Sequence, residues 1–151
     1  MLELNTLRGR VETHLNKLLP AQSSIAQPML DAMRHVVLGG GKRMRPMFAC
    51  ASCEAFGGDL QAALVSGCAL EFIHSYSLIH DDLPAMDDDD IRHGQPSTHI
   101  AFGEANAILA GDSLHSLAFQ AVVDSDELVD ASKLRIIQLL SDAAGWAGMA
   151  G

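Results

Sequence analysis

Aromatic residues are scarce in this sequence, at 5% of its 151 positions, and β-branched residues are sparse as well. Alanine and leucine are abundant instead, and both favour helices over sheets. The expected fold class is therefore all-α. One domain over residues 1–151 is also large enough to bury a core without disulfides or metal staples.

Positive charge is also in short supply, since 10 Lys and Arg stand against 19 Asp and Glu and the formal net charge is -9. A nucleic acid partner is not expected, because phosphate binding needs a basic surface. The sequence has no apolar run long enough to suggest membrane insertion. Three cysteines, an odd number, and an N-terminal stretch without a signal-peptide core lead us to expect a reducing cytoplasm.

Apolar periodicity and capping signals predict a series of helices. Asp59 is a suitable N-cap for a long apolar helix, and Pro84 disfavours helical geometry just before it. Residues 88–98 contain glycine and proline and read as a loop. The predicted helices cover residues 2–19, 28–38, 46–56, 60–82, 100–123 and 131–144.

An acidic segment holds six aspartates within residues 81–90, directly after the apolar stretch 72–79. Two carboxylates about 4 Å apart repel by roughly 4 kcal/mol at an effective dielectric constant near 20, so this density calls for divalent cations. The spacing does not fit an EF-hand calcium loop. Mg²⁺ is expected instead, shared with a phosphorylated ligand because Mg²⁺ is usually held by few carboxylates plus phosphate.

A basic loop at residues 39–46 combines three glycines with Lys42, Arg43 and Arg45. Glycine lets backbone N–H groups approach an anion, and the three cations supply countercharge. His74 and Asp81 lie seven residues apart, about 700° of helical rotation, so they share one helix face. Either charged segment alone would be ordinary solvated surface, but together they fit metal-assisted chemistry on a diphosphate.

The combination of the basic loop, His74 and an Asp81-Asp82-x4-Asp87 pattern followed by Arg92 and Gly94 resembles the trans-isoprenyl diphosphate synthase family. Residues 102–112 extend the likeness along the chain. The resemblance implies a helical bundle of the isoprenoid synthase type. It covers the N-terminal half of such a protein, so a truncated domain is expected, with the C-terminal part absent.

The resemblance also implies roles for individual residues. The group implied to bind isopentenyl diphosphate consists of Gly41, Lys42, Arg45, His74 and His93. The catalytic and metal group consists of Asp81 and Asp87 as magnesium ligands, Asp82 as a helper, and Arg92 on the phosphates of the allylic substrate. Tyr76, five residues before the acidic segment, is implied to limit product length. An unbroken helix would align Asp81 with Asp88 instead of Asp87.

The implied function of the complete protein is Mg²⁺-dependent condensation of isopentenyl diphosphate with dimethylallyl or geranyl diphosphate to give farnesyl diphosphate. A homodimer is expected. The family continues into a second aspartate-rich motif, so residues 1–151 alone are expected to be inactive. The alternatives are a geranylgeranyl diphosphate synthase, an HD-type metal phosphohydrolase using His80, Asp81 and Asp112, and a non-catalytic helical fragment.

His93 is a departure from the family, which usually has two adjacent arginines after the acidic segment. Histidine is shorter and only partly charged at neutral pH. In the complete protein, the substitution His93→Arg should therefore tighten isopentenyl diphosphate binding and flatten its pH dependence. The measurement is KM for isopentenyl diphosphate from pH 6 to 8, and an unchanged KM and pH profile would contradict the hypothesis.

Overall fold

A computed structural model describes residues 3–151, which form seven helices and one short antiparallel hairpin. Leu2, the first residue of the first predicted helix, lies outside the described residues. The helices are α1 (Leu4–Leu18), α2 (Gln27–Leu38), α3 (Met44–Ala55), α4 (Leu60–Asp81), α5 (Thr98–Phe102), α6 (Glu104–Val123) and α7 (Asp130–Ala144). The hairpin pairs β1 (Ile91–Arg92) with β2 (Gln95–Pro96). The expected all-α class is confirmed.

The central element is α4, which packs mainly against α6 and α3. Its predicted N-cap is confirmed, because the Asp59 carboxylate accepts a hydrogen bond from the Gln61 N–H at 2.9 Å. Phe72 at its middle is fully buried. From α1, residues Leu7, Val11 and Leu15 add one apolar face to the same core, as their spacing predicts. The core therefore surrounds α4.

Two glycines allow helices to approach α4 closely. A Cβ placed on Gly67 would lie 2.7 Å from the backbone Cα of Pro46, at the start of α3. A Cβ on Gly111 of α6 would overlap the ring of His80, a side chain that can shift. The Gly67 contact is with backbone, so it sets the distance from α4 to α3.

Helix boundaries differ from the sequence expectation in two places. The third helix begins at Met44, two residues before Pro46, and proline fits there because its missing N–H has no intrahelical partner in the first turn. The expected helix over residues 100–123 is instead two helices. Gly103, with a φ of 82°, interrupts the helical geometry between α5 and α6.

The region expected to be a loop contains the β1–β2 hairpin. Its two turn residues, His93 and Gly94, have φ values of 53° and 80°. Positive φ at both central positions matches the twist of a two-residue hairpin turn. The His35 ring nitrogen contacts the Pro96 carbonyl oxygen at 2.9 Å, and this contact fixes the hairpin against α2.

By length and composition α4 could cross a membrane, with a mean hydropathy of 1.4 over its best 18-residue window. The sequence expectation concerned an unbroken apolar run, and Glu71 and His74 interrupt the run in α4 although its average hydropathy stays high. However, 61% of that window is buried inside the protein. A core helix passes the same test, so the feature does not identify a membrane span.

The Gly67 contact generates a stability prediction. We expect Gly67→Ala to lower the free energy of unfolding by about 1–3 kcal/mol, because the new methyl group overlaps the Pro46 backbone, which cannot move aside cheaply. Urea unfolding followed by circular dichroism measures the change.

The matched control is Gly9→Ala in α1, where nothing lies within 4 Å of an added Cβ. This change should stabilise the protein by about 0.5–1 kcal/mol through helix propensity alone. Equal effects of the two substitutions would show that the α3–α4 contact is not limiting.

Candidate functional site

A cleft of about 360 Å³ lies between the loop that follows α2 and the middle of α4. Five of the residues implied to bind isopentenyl diphosphate line it: Gly41, Lys42, Arg45, His74 and His93. Arg92, which the sequence placed beside them, lines a smaller neighbouring cavity instead, and His93 lines both. The structure therefore gathers the basic loop, His74 and His93 around one opening.

The basic loop has an unusual backbone. Gly40 and Gly41 have φ values of 127° and 109°, which residues with a side chain rarely adopt. Within this segment α3 already begins at Met44, and its N-cap, Arg43, makes no side-chain capping hydrogen bond. The positive end of the α3 dipole and its first N–H groups therefore lie beside Lys42 and Arg45, an arrangement that favours anions.

Arg43 also lines the cleft, but carboxylates already hold its guanidinium, so it is not available as the third cation that the sequence predicted. Its guanidinium is buried, with Nε donating to Glu12 at 2.7 Å, Nη1 donating to Glu71 at 3.1 Å and Nη2 donating to the Val37 carbonyl at 2.6 Å. Burial would lower the pKa of Arg43, but hydrogen bonds and charges from Glu12 and Glu71 outweigh it and raise that pKa. Lys42 and Arg45 remain exposed as the loop's usable cations.

His74 faces these cations from α4. Burial first, and then the positive charges around it, with Arg45 foremost, lower the pKa of His74 to about 4. Its ring is therefore neutral at pH 7, with one nitrogen able to donate a hydrogen bond and the other able to accept one. The ring can bind a phosphate oxygen by donation, without adding a charge.

The acidic segment begins where α4 ends. The Asp87 N–H donates to the Asp81 carbonyl oxygen at 2.8 Å, which closes the intervening chain into a loop. Asp88 has a φ of 55° and donates instead to the Leu83 carbonyl at 3.2 Å. The helix is broken, so the backbone brings together Asp81 and Asp87, the pair implied by the resemblance, and not Asp81 and Asp88.

Asp82 and Arg92 contact each other. Asp82 is only 2% exposed, and its carboxylate accepts hydrogen bonds from Nε and Nη2 of the Arg92 guanidinium. Arg92 also pairs with Asp89 at 3.2 Å. The Asp82 hydrogen bond is the largest cause of a raised pKa for Arg92. Here Asp82 serves as the partner of Arg92, a role that sequence reasoning did not assign to this aspartate.

Comparison with known proteins places these features in one group. The model of the polyprenyl synthetase family matches residues 26–147. This chain belongs to the polyprenyl synthetase family. It is 46% identical over 144 residues to a farnesyl diphosphate synthase of Haemophilus influenzae, covering 93% of this chain and 49% of the relative. The resemblance inferred from the motifs is thus confirmed at the level of the family.

Two further similarities lie within this family. The chain is 44% identical over 154 residues to the heterodimeric geranylgeranyl pyrophosphate synthase small subunit of Arabidopsis thaliana, covering 98% of this chain and 47% of that one. A crystal structure of an FPP/GFPP synthase from Zymomonas mobilis superposes with a TM-score of 0.93 at 41% identity, covering 98% of this chain and 54% of that chain. The chain spans about half the length of the curated relatives it matches.

The metal prediction for this family member concerns Asp81, Asp82 and Asp87. Within residues 3–151, no group of three His, Cys, Asp or Glu side chains is arranged to hold a metal ion. The donors nevertheless fit part of a magnesium site, because Mg²⁺ is usually held by one or two carboxylates, with waters and substrate phosphates completing the octahedron. Asp81 and Asp87 can supply that part, while the Asp82 carboxylate is already paired with Arg92.

Tyr76 lies between α4 and α6. Its ring packs edge to face against His80 at 5.8 Å and against His115 at 5.0 Å, and His115 in turn contacts Phe119 at 5.3 Å. Burial, followed by the charge of Asp81, raises the pKa of the Tyr76 hydroxyl. The side chain is therefore part of an aromatic cluster one to two turns before the acidic segment.

Sequence reasoning missed several residues that shape the site. Glu71 is 4% exposed and binds Arg43, and its signal was a single carboxylate inside an otherwise apolar helix. The pairs Tyr76–His80 and His115–Phe119 each have i,i+4 spacing, which predicts contact on a helix surface. Arg8 and Glu12, which contact the basic loop from α1, carried no signal beyond the same spacing.

The surroundings of His74 lead to a pH prediction. In nuclear magnetic resonance titrations its ring should stay neutral until about pH 4. Because the unfolded ring titrates near its ordinary value of about 6.5, the unfolded chain binds the extra proton first. The contribution of His74 to the free energy of unfolding is therefore fully present above about pH 6.5 and falls as the pH drops towards 4.

Two changes should raise this pKa. The substitution Arg45→Met removes the largest of the repelling charges, and inorganic diphosphate neutralises them. Lys17→Met on α1 is a control with the same loss of charge. A His74 pKa near 6.5 in the unaltered protein would contradict the described burial and charge.

Proposed function

We propose that the complete protein is a Mg²⁺-dependent trans-prenyltransferase that joins isopentenyl diphosphate to an allylic diphosphate, either dimethylallyl or geranyl. The observation that carries this proposal is that one helix, α4, borders both the basic loop and the acidic segment. His74 faces the basic loop, and Asp81, seven residues later, begins the acidic segment. Seven residues correspond to about 10 Å along the helix axis, a distance that suits two diphosphates held at separate sites in one pocket.

In this proposal the cleft binds the diphosphate of isopentenyl diphosphate. Lys42 and Arg45 supply charge, the α3 N-terminus and the glycine loop supply N–H donors, and neutral His74 donates one further hydrogen bond. His93 lies at the edge of the same cleft. The binding site requires no rearrangement of the buried Arg43, whose Nε, Nη1 and Nη2 each already donate a hydrogen bond.

Asp81 and Asp87 would hold Mg²⁺ against the diphosphate of the allylic substrate. When bound, the ions stabilise negative charge on the departing diphosphate as its bond to carbon breaks. Arg92 lies beside this position, held by Asp82 and Asp89. Because Asp89 is exposed, Arg92 can exchange that partner for a substrate phosphate and keep the buried one, Asp82.

Farnesyl diphosphate is the proposed product, and geranylgeranyl diphosphate is the alternative. The matched relatives carry both product names, so the proposal rests on Tyr76. A ring at that position, braced by His115 across the α4–α6 contact, limits the space available to a growing chain. The HD-type phosphohydrolase interpretation is abandoned, since the matched family explains the basic loop and the acidic segment together.

A homodimer and a cytoplasmic location remain proposals. Exposed apolar residues on α6, namely Ile108, Leu109 and Val123, support an interface between copies. The free thiols Cys50, Cys53 and Cys68 support a reducing compartment.

The test of the proposed function uses the complete gene product, labelled isopentenyl diphosphate, geranyl diphosphate and Mg²⁺. We expect a fifteen-carbon product, and we expect Asp87→Asn to reduce kcat by on the order of 100-fold or more, because a charge that stabilises the leaving group is lost. Chromatography of the dephosphorylated products measures chain length and rate.

Asp126→Asn is the matched control, an exposed aspartate outside the acidic segment whose loss should leave the rate unchanged. A twenty-carbon product would favour the geranylgeranyl alternative. Release of diphosphate without carbon–carbon bond formation would overturn the proposal. The same assay on residues 1–151 should give no product. If residues 1–151 nevertheless bind a diphosphate in a magnesium-dependent way, they are not a purely structural helical partner.

A further inference from the structure

The basic loop has a positive φ at three of four consecutive positions. Gly40 and Gly41 have φ values of 127° and 109°, and Arg43, which carries a full side chain, has a φ of 51°. Left-handed geometry at a residue other than glycine costs on the order of 1 kcal/mol and persists only where surrounding contacts hold it. The contacts that hold this loop therefore decide its shape.

Two of these contacts come from α1, the first helix of the chain. Arg8 Nη2 donates to the Gly41 carbonyl oxygen at 3.1 Å. Glu12 accepts from Arg43 Nε at 2.7 Å and from Arg43 Nη2 at 3.3 Å. Arg8 and Glu12 are spaced i,i+4, so they lie on one face of α1 and hold the loop at two points.

The Arg8 contact orients the N–H donor of Lys42. The Gly41 carbonyl and the Lys42 N–H belong to one planar trans peptide unit, in which they point in opposite directions. A carbonyl held towards α1 therefore directs the Lys42 N–H away from α1. The same peptide unit carries the side chain of Lys42, which lines the cleft.

Neither Arg8 nor Glu12 is among the residues that line the cleft. Any effect of these side chains on a bound diphosphate must act through the loop or through long-range charge. Long-range charge from an exposed arginine is weak at physiological ionic strength, where screening acts over about 8 Å. Effects through the loop are not screened in this way.

We propose that Arg8 and Glu12 are positioning residues that preorganise residues 40–43 for diphosphate binding. The inference rests on the proposed function only in taking a diphosphate as the ligand. Arg8 fixes the Gly41–Lys42 peptide, and Glu12 fixes the buried guanidinium that keeps Arg43 left-handed. A ligand that meets an ordered loop does not have to order it, so affinity is gained without any contact to α1.

The test titrates the complete protein with inorganic diphosphate at constant ionic strength and without Mg²⁺, so that the acidic segment contributes no metal-bridged site. Arg8→Met keeps most of the side-chain volume and removes the donor. We expect affinity to fall about fivefold, the equivalent of one hydrogen bond, and the amide exchange of Gly41 and Lys42 to accelerate. Arg8→Lys, which retains a donor, should recover part of the affinity.

Lys17→Met is the matched control, since it removes one exposed cation from the same helix without touching the loop. A double-mutant cycle distinguishes a positioning role of Arg8 from an effect of its charge alone. In a Lys42→Met background, Arg8→Met should have a smaller further effect, because the positioned ammonium is absent and only the backbone N–H of residue 42 remains to be oriented. A purely electrostatic role predicts additive losses instead. Glu12→Gln, which keeps an acceptor without the charge, should weaken binding less than Glu12→Leu.

The outcomes separate this inference from the proposed function. If the unaltered chain binds diphosphate and Arg8→Met binds as tightly as Lys17→Met with unchanged loop exchange, the inference is overturned and the function stands. If the unaltered chain does not bind diphosphate, the proposed cleft function fails, and the binding role of Arg8 and Glu12 fails with it.

Discussion

The buried guanidinium of Arg43 is the interaction on which the rest of the site depends. It joins α1 through Glu12, the end of α2 through the Val37 carbonyl, and the middle of α4 through Glu71. A buried charge is tolerated only when its partners are all present, and losing one partner leaves the others unpaired in a medium of low polarity. The three helices therefore cannot shift independently at this point, and the loop that carries Lys42 is held between them.

Charge is arranged in order along α4. The basic loop and the positive end of the α3 dipole face its middle, and the carboxylates cluster at its C-terminus, where the helix dipole is already negative. The clustered carboxylates at the C-terminus of α4 are unfavourable unless cations are supplied. The positive charge that faces the middle of α4 is unfavourable unless anions are supplied. In the proposed function, a magnesium–diphosphate complex would meet both needs along one rigid element.

The sequence was sufficient for the family, the all-α class and most helix positions, because apolar periodicity and the Asp59 cap act locally. It also selected Lys42, Arg45 and His74, which the structure gathers in one cleft. The count of charges alone did not separate Arg43 from its cationic neighbours, although the family resemblance gave it no role, because its inward direction depends on the left-handed turn at that residue. The pairing of Asp82 with Arg92 was missed for a similar reason, since it depends on a hairpin whose turn carried no strong strand signal.

The bond between the Asp87 N–H and the Asp81 carbonyl involves main-chain atoms only. The closing bond itself therefore depends on the number of residues between the two aspartates and not on their side chains, although Asp82 among them is fixed by its pairing with Arg92. A single inserted or deleted codon would bring a different residue to the closing position. The closure of this segment is therefore sensitive to its length, and a segment of another length must close in a different way.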